Sequence, residues 1–163
     1  MTRLCLSMLA ATLLLPCLGQ DSPSVNNPSF ETAAPGASPA DIGFGLWALG
    51  EDKLVPAGWT MNPAFPGTLT LPTGDAHSGD RAVRIVANGQ RGPAHLFQPC
   101  PGIRAGHVYR VSAWVKGGPA GIGFYEYFPE GVIKTPTILN ASDASEQWRE
   151  LSAYYAPEGV GFR

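Results

Sequence analysis

The stretch that decides the fold is HVYRVSAWVK, residues 107–116. Apolar side chains occupy every second position of it, namely Tyr109, Val111, Ala113 and Val115. The positions between them are polar or mixed, namely Arg110, Ser112, Trp114 and Lys116. Because successive side chains of a β-strand point to opposite faces, this period of two predicts a strand whose apolar face lies in a core. Trp114 is then expected on the opposite, mixed face.

The rest of the chain consists of short runs between turn-forming residues. Its 20 glycines and 16 prolines make up about 22% of the 163 residues, against roughly 12% in average proteins. The hydrophobic content of 44% is too high for a disordered chain. Runs of β-type residues occur at 29–32, 58–61, 68–71, 81–87, 95–99, 107–116, 121–128, 131–135 and 148–156. This pattern predicts an all-β sandwich, with a long Pro- and Gly-rich loop at 33–57.

The N-terminus has the three-part pattern of a secretory signal peptide. It carries Arg3, an apolar stretch at 4–15 and an exit with small residues. We therefore divide the chain into a leader at 1–19 and one domain at 20–163, exported to the periplasm, the cell surface or the medium. No later stretch approaches the roughly 20 apolar residues of a membrane-spanning helix. Two of the three cysteines lie in the leader, so Cys100 has no partner for an internal disulfide.

Charge and motifs exclude several classes of function. The chain has 11 Lys and Arg against 13 Asp and Glu, which is not the electrostatic footprint of a nucleic-acid-binding protein and favours a neutral partner. The acidic residues form no motif that would pair two carboxylates around a glycosidic bond. The three histidines lack the spacing of zinc ligands. We therefore expect a non-catalytic domain.

Six segments of the chain carry a resemblance to a known family. They are NPSFE (27–31), PAGW (56–59), HSGDRAVRI (77–85), LFQ (96–98), IRAGHVYRVSAWVKG (103–117) and QWRELSAYYAPEGV (147–160). In this order they resemble carbohydrate-binding modules of families four, nine and twenty-two, which are galactose-binding-domain-like jelly rolls attached to secreted glycoside hydrolases. The resemblance implies an antiparallel jelly-roll β-sandwich that binds a neutral polysaccharide or oligosaccharide as an accessory module of a glycoside hydrolase. Those modules close with one further strand, so we expect the last strand to be missing and the module to be C-terminally truncated.

Aromatic side chains are the first candidates for sugar contacts, because their rings can cover the apolar faces of sugar rings. On the mixed face of 107–116, Trp114 beside Arg110 fits a binding groove. A neighbouring loop that simply covers the indole would explain the same pattern. Trp47, on the predicted loop, is a candidate lid over the groove, with plugging of one end of the sandwich as the alternative.

The run GIGFYEYFPEG, residues 121–131, offers a second set of candidates. If Phe124 and Phe128 belong to the core, Tyr125 and Tyr127 point the other way and form a sugar platform. In the reversed register, Glu126 becomes the groove residue. The first register is favoured, because a buried glutamate needs a partner.

The resemblance also implies a structural calcium ion near the first strand, with Glu31 at the position of the family's glutamate. No other cofactor is required. Calcium takes six to eight oxygen ligands, and the acidic ligand expected from the last strand is absent. An ordinary surface salt bridge is therefore the alternative role for Glu31.

Two rival functions are also compatible with the sequence. One is a structural or interaction β-sandwich that binds no sugar. The other is the N-terminal fragment of a glycoside hydrolase whose catalytic part follows Arg163. Exposure of Trp114, Tyr125 and Tyr127 on one concave face would favour a binding module over the structural rival.

Overall fold

The computed structural model describes residues 9–11, 25–36, 47–61, 67–87, 94–126 and 137–157. Strands account for 52% of these residues and helices for none, which confirms the predicted all-β class. The strands are β1 (Leu9–Ala11), β2 (Ala33–Pro35), β3 (Trp47–Leu49), β4 (Leu54–Pro56), β5 (Thr60–Met61), β6 (Gly67–Thr70), β7 (Arg84–Ala87), β8 (Leu96–Phe97), β9 (Tyr109–Gly117), β10 (Ala120–Phe124), β11 (Thr137–Ser142) and β12 (Ser145–Tyr155). Within the described ranges, no helix has the length and hydropathy needed to cross a membrane.

The strands form several small sheets, an arrangement that fits the β-sandwich class. The sheet orders are β1-β9-β12, β3-β6-β7, β10-β11, β2-β4 and β5-β8. All of the pairings are antiparallel except β3 with β6, which is parallel. Strand β1 lies in the stretch predicted as a leader, and it pairs with β9 over 113–115.

The strand predicted at 107–116 is observed as β9, and the burial of its side chains follows the predicted alternation except at two positions. Ser112, on the mixed face, is buried, and Val111, on the apolar face, is half-buried. Tyr109, Ala113 and Val115 are buried. Ala113 and Val115 pack in a small core cluster with Ile122 of β10 and Leu151 of β12. Opposite residues of paired strands share a face, so the mixed face of β9 continues onto β12.

A larger core lies around β6 and β7. It consists of Phe30, Leu49, Met61, Leu69, Leu71, Val83, Ile85 and Ala94. Phe30 is 0% exposed although it precedes β2 in an irregular segment. Its side chain is placed there by the turn at NPSFE, where Asn27 and Phe30 both adopt positive φ angles, 47° and 62°. The N–H of Phe30 donates to the carbonyl of Asn27 at 3.1 Å and closes this turn.

The Asn27 side chain forms hydrogen bonds that connect the turn to Thr32 and Ala57. Its Nδ2 donates to the carbonyls of Thr32 and Ala57 at 2.7 and 3.3 Å, and its Oδ1 accepts the N–H of Thr32 at 3.0 Å. The indole Nε1 of Trp59 donates to the Asn27 carbonyl at 3.1 Å. The Trp59 ring packs on Phe30 with 5.1 Å between the ring centroids. The NPSFE turn thus holds the Phe30 side chain in the larger core, where Trp59 packs against it.

Two sequence predictions of local structure are wrong. The described parts of 33–57, predicted as a loop, contain β2, β3 and β4. Each of these strands has three residues, too few to display an alternating pattern, and β3 is stabilised by pairing with β6 further along the chain. Conversely, the run at 29–32 is a turn and not a strand, because positive φ at Phe30 is incompatible with extended backbone.

Candidate functional site

The mixed face of β9 and β12 gathers aromatic and charged side chains, and we call it the aromatic face. It consists of Arg110, Trp114 and Lys116 from β9, Trp148, Glu150 and Tyr154 from β12, and His77 from the loop before β7. The register places Glu150 opposite Trp114 and Tyr154 opposite Arg110. A register shift between Ser145 and Arg149 sets Trp148 at the end of the face.

Trp114 lies on the mixed face, as the alternation predicts. The imidazole of His77 stacks on its indole, with 3.7 Å between the ring centroids and 11° between the ring planes. Trp148 approaches the same imidazole edge-on, at 5.9 Å and 71°. Trp114 is half-buried, whereas His77 is exposed. The indole is therefore partly covered by a loop residue, and the imidazole lies between it and solvent.

The loop that carries His77 is attached at several points. Lys116 Nζ lies 2.6 Å from Asp75 Oδ1, and the same ammonium is 6.0 Å from the centroid of the Trp148 ring. Across the base of the loop, the N–H of Gly74 donates to the carbonyl of Asp80 at 3.2 Å. These contacts lie on both sides of His77 along the chain.

The Glu31 carboxylate binds the backbone of this loop on the C-terminal side of His77. Both of its carboxylate oxygens accept the N–H of Asp80, at 3.1 and 3.2 Å, and Oε1 also accepts the N–H of Arg81 at 3.3 Å. Gly79 has a φ angle of 70°, and a Cβ at this position would collide with the Glu31 carboxylate. The approach of the carboxylate to the loop backbone therefore requires glycine there.

The partners of the Glu31 carboxylate are backbone N–H groups of the loop. Within the described ranges, no group of three or more His, Cys, Asp or Glu side chains lies close enough to hold a metal ion. The Glu31 oxygens face backbone N–H donors, which are the partners of an anion. Glu31 thus acts as a clamp on the loop in this structure, and its binding of calcium stays a prediction.

An ion pair and an exposed ring lie at the other end of the aromatic face. Arg110 donates to Glu150 Oε1 at 2.8 Å, and the two side chains are 37% and 36% exposed. Tyr154, opposite Arg110, is 74% exposed. The Tyr154 ring thus lies near the solvent-accessible hydrogen-bond donors of Arg110 and the acceptors of Glu150.

Tyr125 and Glu126 follow β10 and lie in a different neighbourhood. Phe124 stacks on Tyr155 with 4.4 Å between the centroids, as expected if this phenylalanine faces inward. The Tyr125 hydroxyl is 2.6 Å from Nδ1 of His95 and the residue is half-buried. Burial lowers the pKa of His95. Glu126 is buried, with 5% of its surface exposed.

The side chains of two predicted site residues lie outside the described part of the structure. Tyr127 lies outside the described residues. Trp47 begins strand β3, opposite Gly67, and does not lie on a loop as predicted. Its side chain is outside the described part of the structure.

Sequence reasoning missed three members of the aromatic face: His77, Glu150 and Tyr154. It also assigned no contact to Trp148. The residues of β12 could have been found from an alternation in 148–156 once its pairing with β9 was known. No local pattern indicates the stacking of His77 on Trp114, because that contact depends on where a loop packs.

Comparisons of the chain with protein-family models, with curated proteins and with solved structures find no match. The chemistry of the aromatic face is therefore the basis for inferring a function.

Proposed function

We propose that this protein is an exported, non-catalytic carbohydrate-binding module of the jelly-roll type that binds a neutral polysaccharide or oligosaccharide through the aromatic face. It would serve as an accessory to a glycoside hydrolase and concentrate that enzyme on its substrate. The observation that supports this proposal is the grouping of Trp114, Trp148 and Tyr154 with His77 on one face of two paired strands.

The chemistry of the face suits a sugar. Aromatic rings can cover the apolar faces of pyranose rings, while a few placed polar groups orient the hydroxyls. Arg110 and Glu150 supply donors and acceptors beside Tyr154. Because this ion pair and the Lys116–Asp75 pair each neutralise their own charges, the face favours a neutral ligand over a charged one.

Tyr154→Ala is the sharpest test, because a side chain that is 74% exposed contributes little to the fold. Isothermal titration calorimetry or affinity electrophoresis over a panel of neutral glycans, including xylan and β-glucan, should detect binding by the unmutated protein. The variant should lose about 2 kcal/mol of binding free energy, the size of a hot-spot contact, or roughly thirtyfold in Kd.

The matched control is Ile138→Ala on β11, which removes a side chain of similar exposure, 60%, from another sheet. Its affinity should equal that of the unmutated protein. If the unmutated protein binds no glycan of the panel, the proposal is rejected in favour of a structural module. If both variants lose affinity equally, the aromatic face is not the binding site.

A further inference from the structure

We propose that His77 is a second residue of the aromatic face, beside Tyr154, against which a bound sugar packs, and that Trp114 acts beneath His77 as support. This inference rests on the proposed function and names a further contact residue of the same site. It differs from the sequence prediction, in which the indole of Trp114 is itself the platform.

The order of the two rings is the first observation. A centroid distance of 3.7 Å and an angle of 11° leave no space for a sugar between the rings. His77 is the exposed partner and Trp114 the half-buried one. A ligand that approaches from solvent on this side therefore meets the imidazole before it meets the indole.

The attachment of the loop is the second observation. Asp75, two residues before His77, is held by Lys116, and Asp80, three residues after it, is held by the Glu31 carboxylate. These contacts hold the backbone of the loop on both sides of His77, and the rings of Trp114 and Trp148 contact the imidazole itself. The stacked position of His77 is therefore preorganised, which lowers the entropic cost of binding.

The chemistry of imidazole adds selectivity. Its flat ring can pack on a pyranose face, while its ring nitrogens can exchange hydrogen bonds with hydroxyls near the ring edge. The Trp148 ring lies 5.9 Å from the same imidazole, centroid to centroid and at 71° to its plane, and restricts the rotation of the imidazole. A ring held in this way recognises a sugar by both its apolar face and its hydroxyls.

Two substitutions test the inference by calorimetry with the panel glycan that the unmutated protein binds best. His77→Ala removes the ring and should weaken binding about five- to tenfold, the effect of losing one aromatic contact. His77→Phe keeps a ring on Trp114 and should retain more affinity than His77→Ala. Thermal melts of both variants establish that the fold is intact.

NMR of the unmutated protein supplies an independent readout. The ring protons of His77 should be shifted by the Trp114 ring current in the free protein and should shift again on titration with the glycan. If His77→Ala binds as well as or more tightly than the unmutated protein, His77 merely covers Trp114 and the inference is overturned while the proposed function stands. If the unmutated protein binds no glycan, both fail together.

Discussion

Replacement of Asn27 should test how the NPSFE turn stabilises the larger core. Asn27→Gly removes three side-chain hydrogen bonds, two with Thr32 and one with Ala57. A typical net contribution is about 1 kcal/mol per bond, and water can replace the two exposed bonds in part, so we expect a loss of about 2 kcal/mol in unfolding free energy. Asn27→Ala also forces a Cβ without a polar side chain into a φ angle of 47°, which costs about 1 kcal/mol more.

Urea unfolding followed by tryptophan fluorescence measures both losses, because Trp59 donates to the Asn27 carbonyl and reports on this turn. Thermal melts should fall by roughly 3 °C per kcal/mol for a chain of this size. Asn26→Ala is the matched control, since Asn26 contacts Gln98 through its backbone, and it should change stability by less than about 0.5 kcal/mol. Equal losses for Asn27→Gly and Asn27→Ala would refute the cost of the positive φ angle, and no loss in either variant would refute the stabilising role of the Asn27 side chain.

Two further predictions concern ionisable side chains. Glu31→Gln should lower the unfolding free energy by about 1 kcal/mol in urea titrations, because an amide is a weaker acceptor for the N–H groups of Asp80 and Arg81. Melts with calcium and with EDTA test the predicted ion: stabilisation by calcium that is lost in Glu31→Gln would support it, and identical melts would contradict it. Burial lowers the pKa of His95 in the folded protein, so the unfolded chain binds a proton more readily than the folded one. The free energy of unfolding should therefore decline as the pH falls below about 6.5, the ordinary pKa of histidine. Melting temperatures from pH 8 to 5 should decline less steeply for His95→Gln than for the unmutated protein, and equal slopes would contradict the assignment.

The alternation at 107–116 was sufficient to predict β9 and the faces of its side chains. A period of two is a local property of extended backbone, so neighbouring residues alone show that Tyr109, Ala113 and Val115 face one way and Trp114 the other. The abundance of glycine and proline likewise predicts an all-β chain, because both residues interrupt helices wherever they occur. These conclusions need no knowledge of which strands pair.

The composition of the aromatic face depended on contacts between distant parts of the chain. Pairing of β9 with β12 brings Glu150 opposite Trp114, and the register shift after Ser145 cannot be read from either strand alone. Short strands such as β3 form because a partner supplies their hydrogen bonds, and three residues carry no pattern of their own.

The position of His77 shows the same limit most clearly. In the sequence it is a polar residue between turn-forming neighbours, whereas in the folded chain it stacks on Trp114. That contact exists because Glu31, 49 residues before Asp80, and Lys116, on β9, both hold the loop in place. Sequence periodicity determines which face of a strand a side chain occupies, but only tertiary packing decides which loop covers that face.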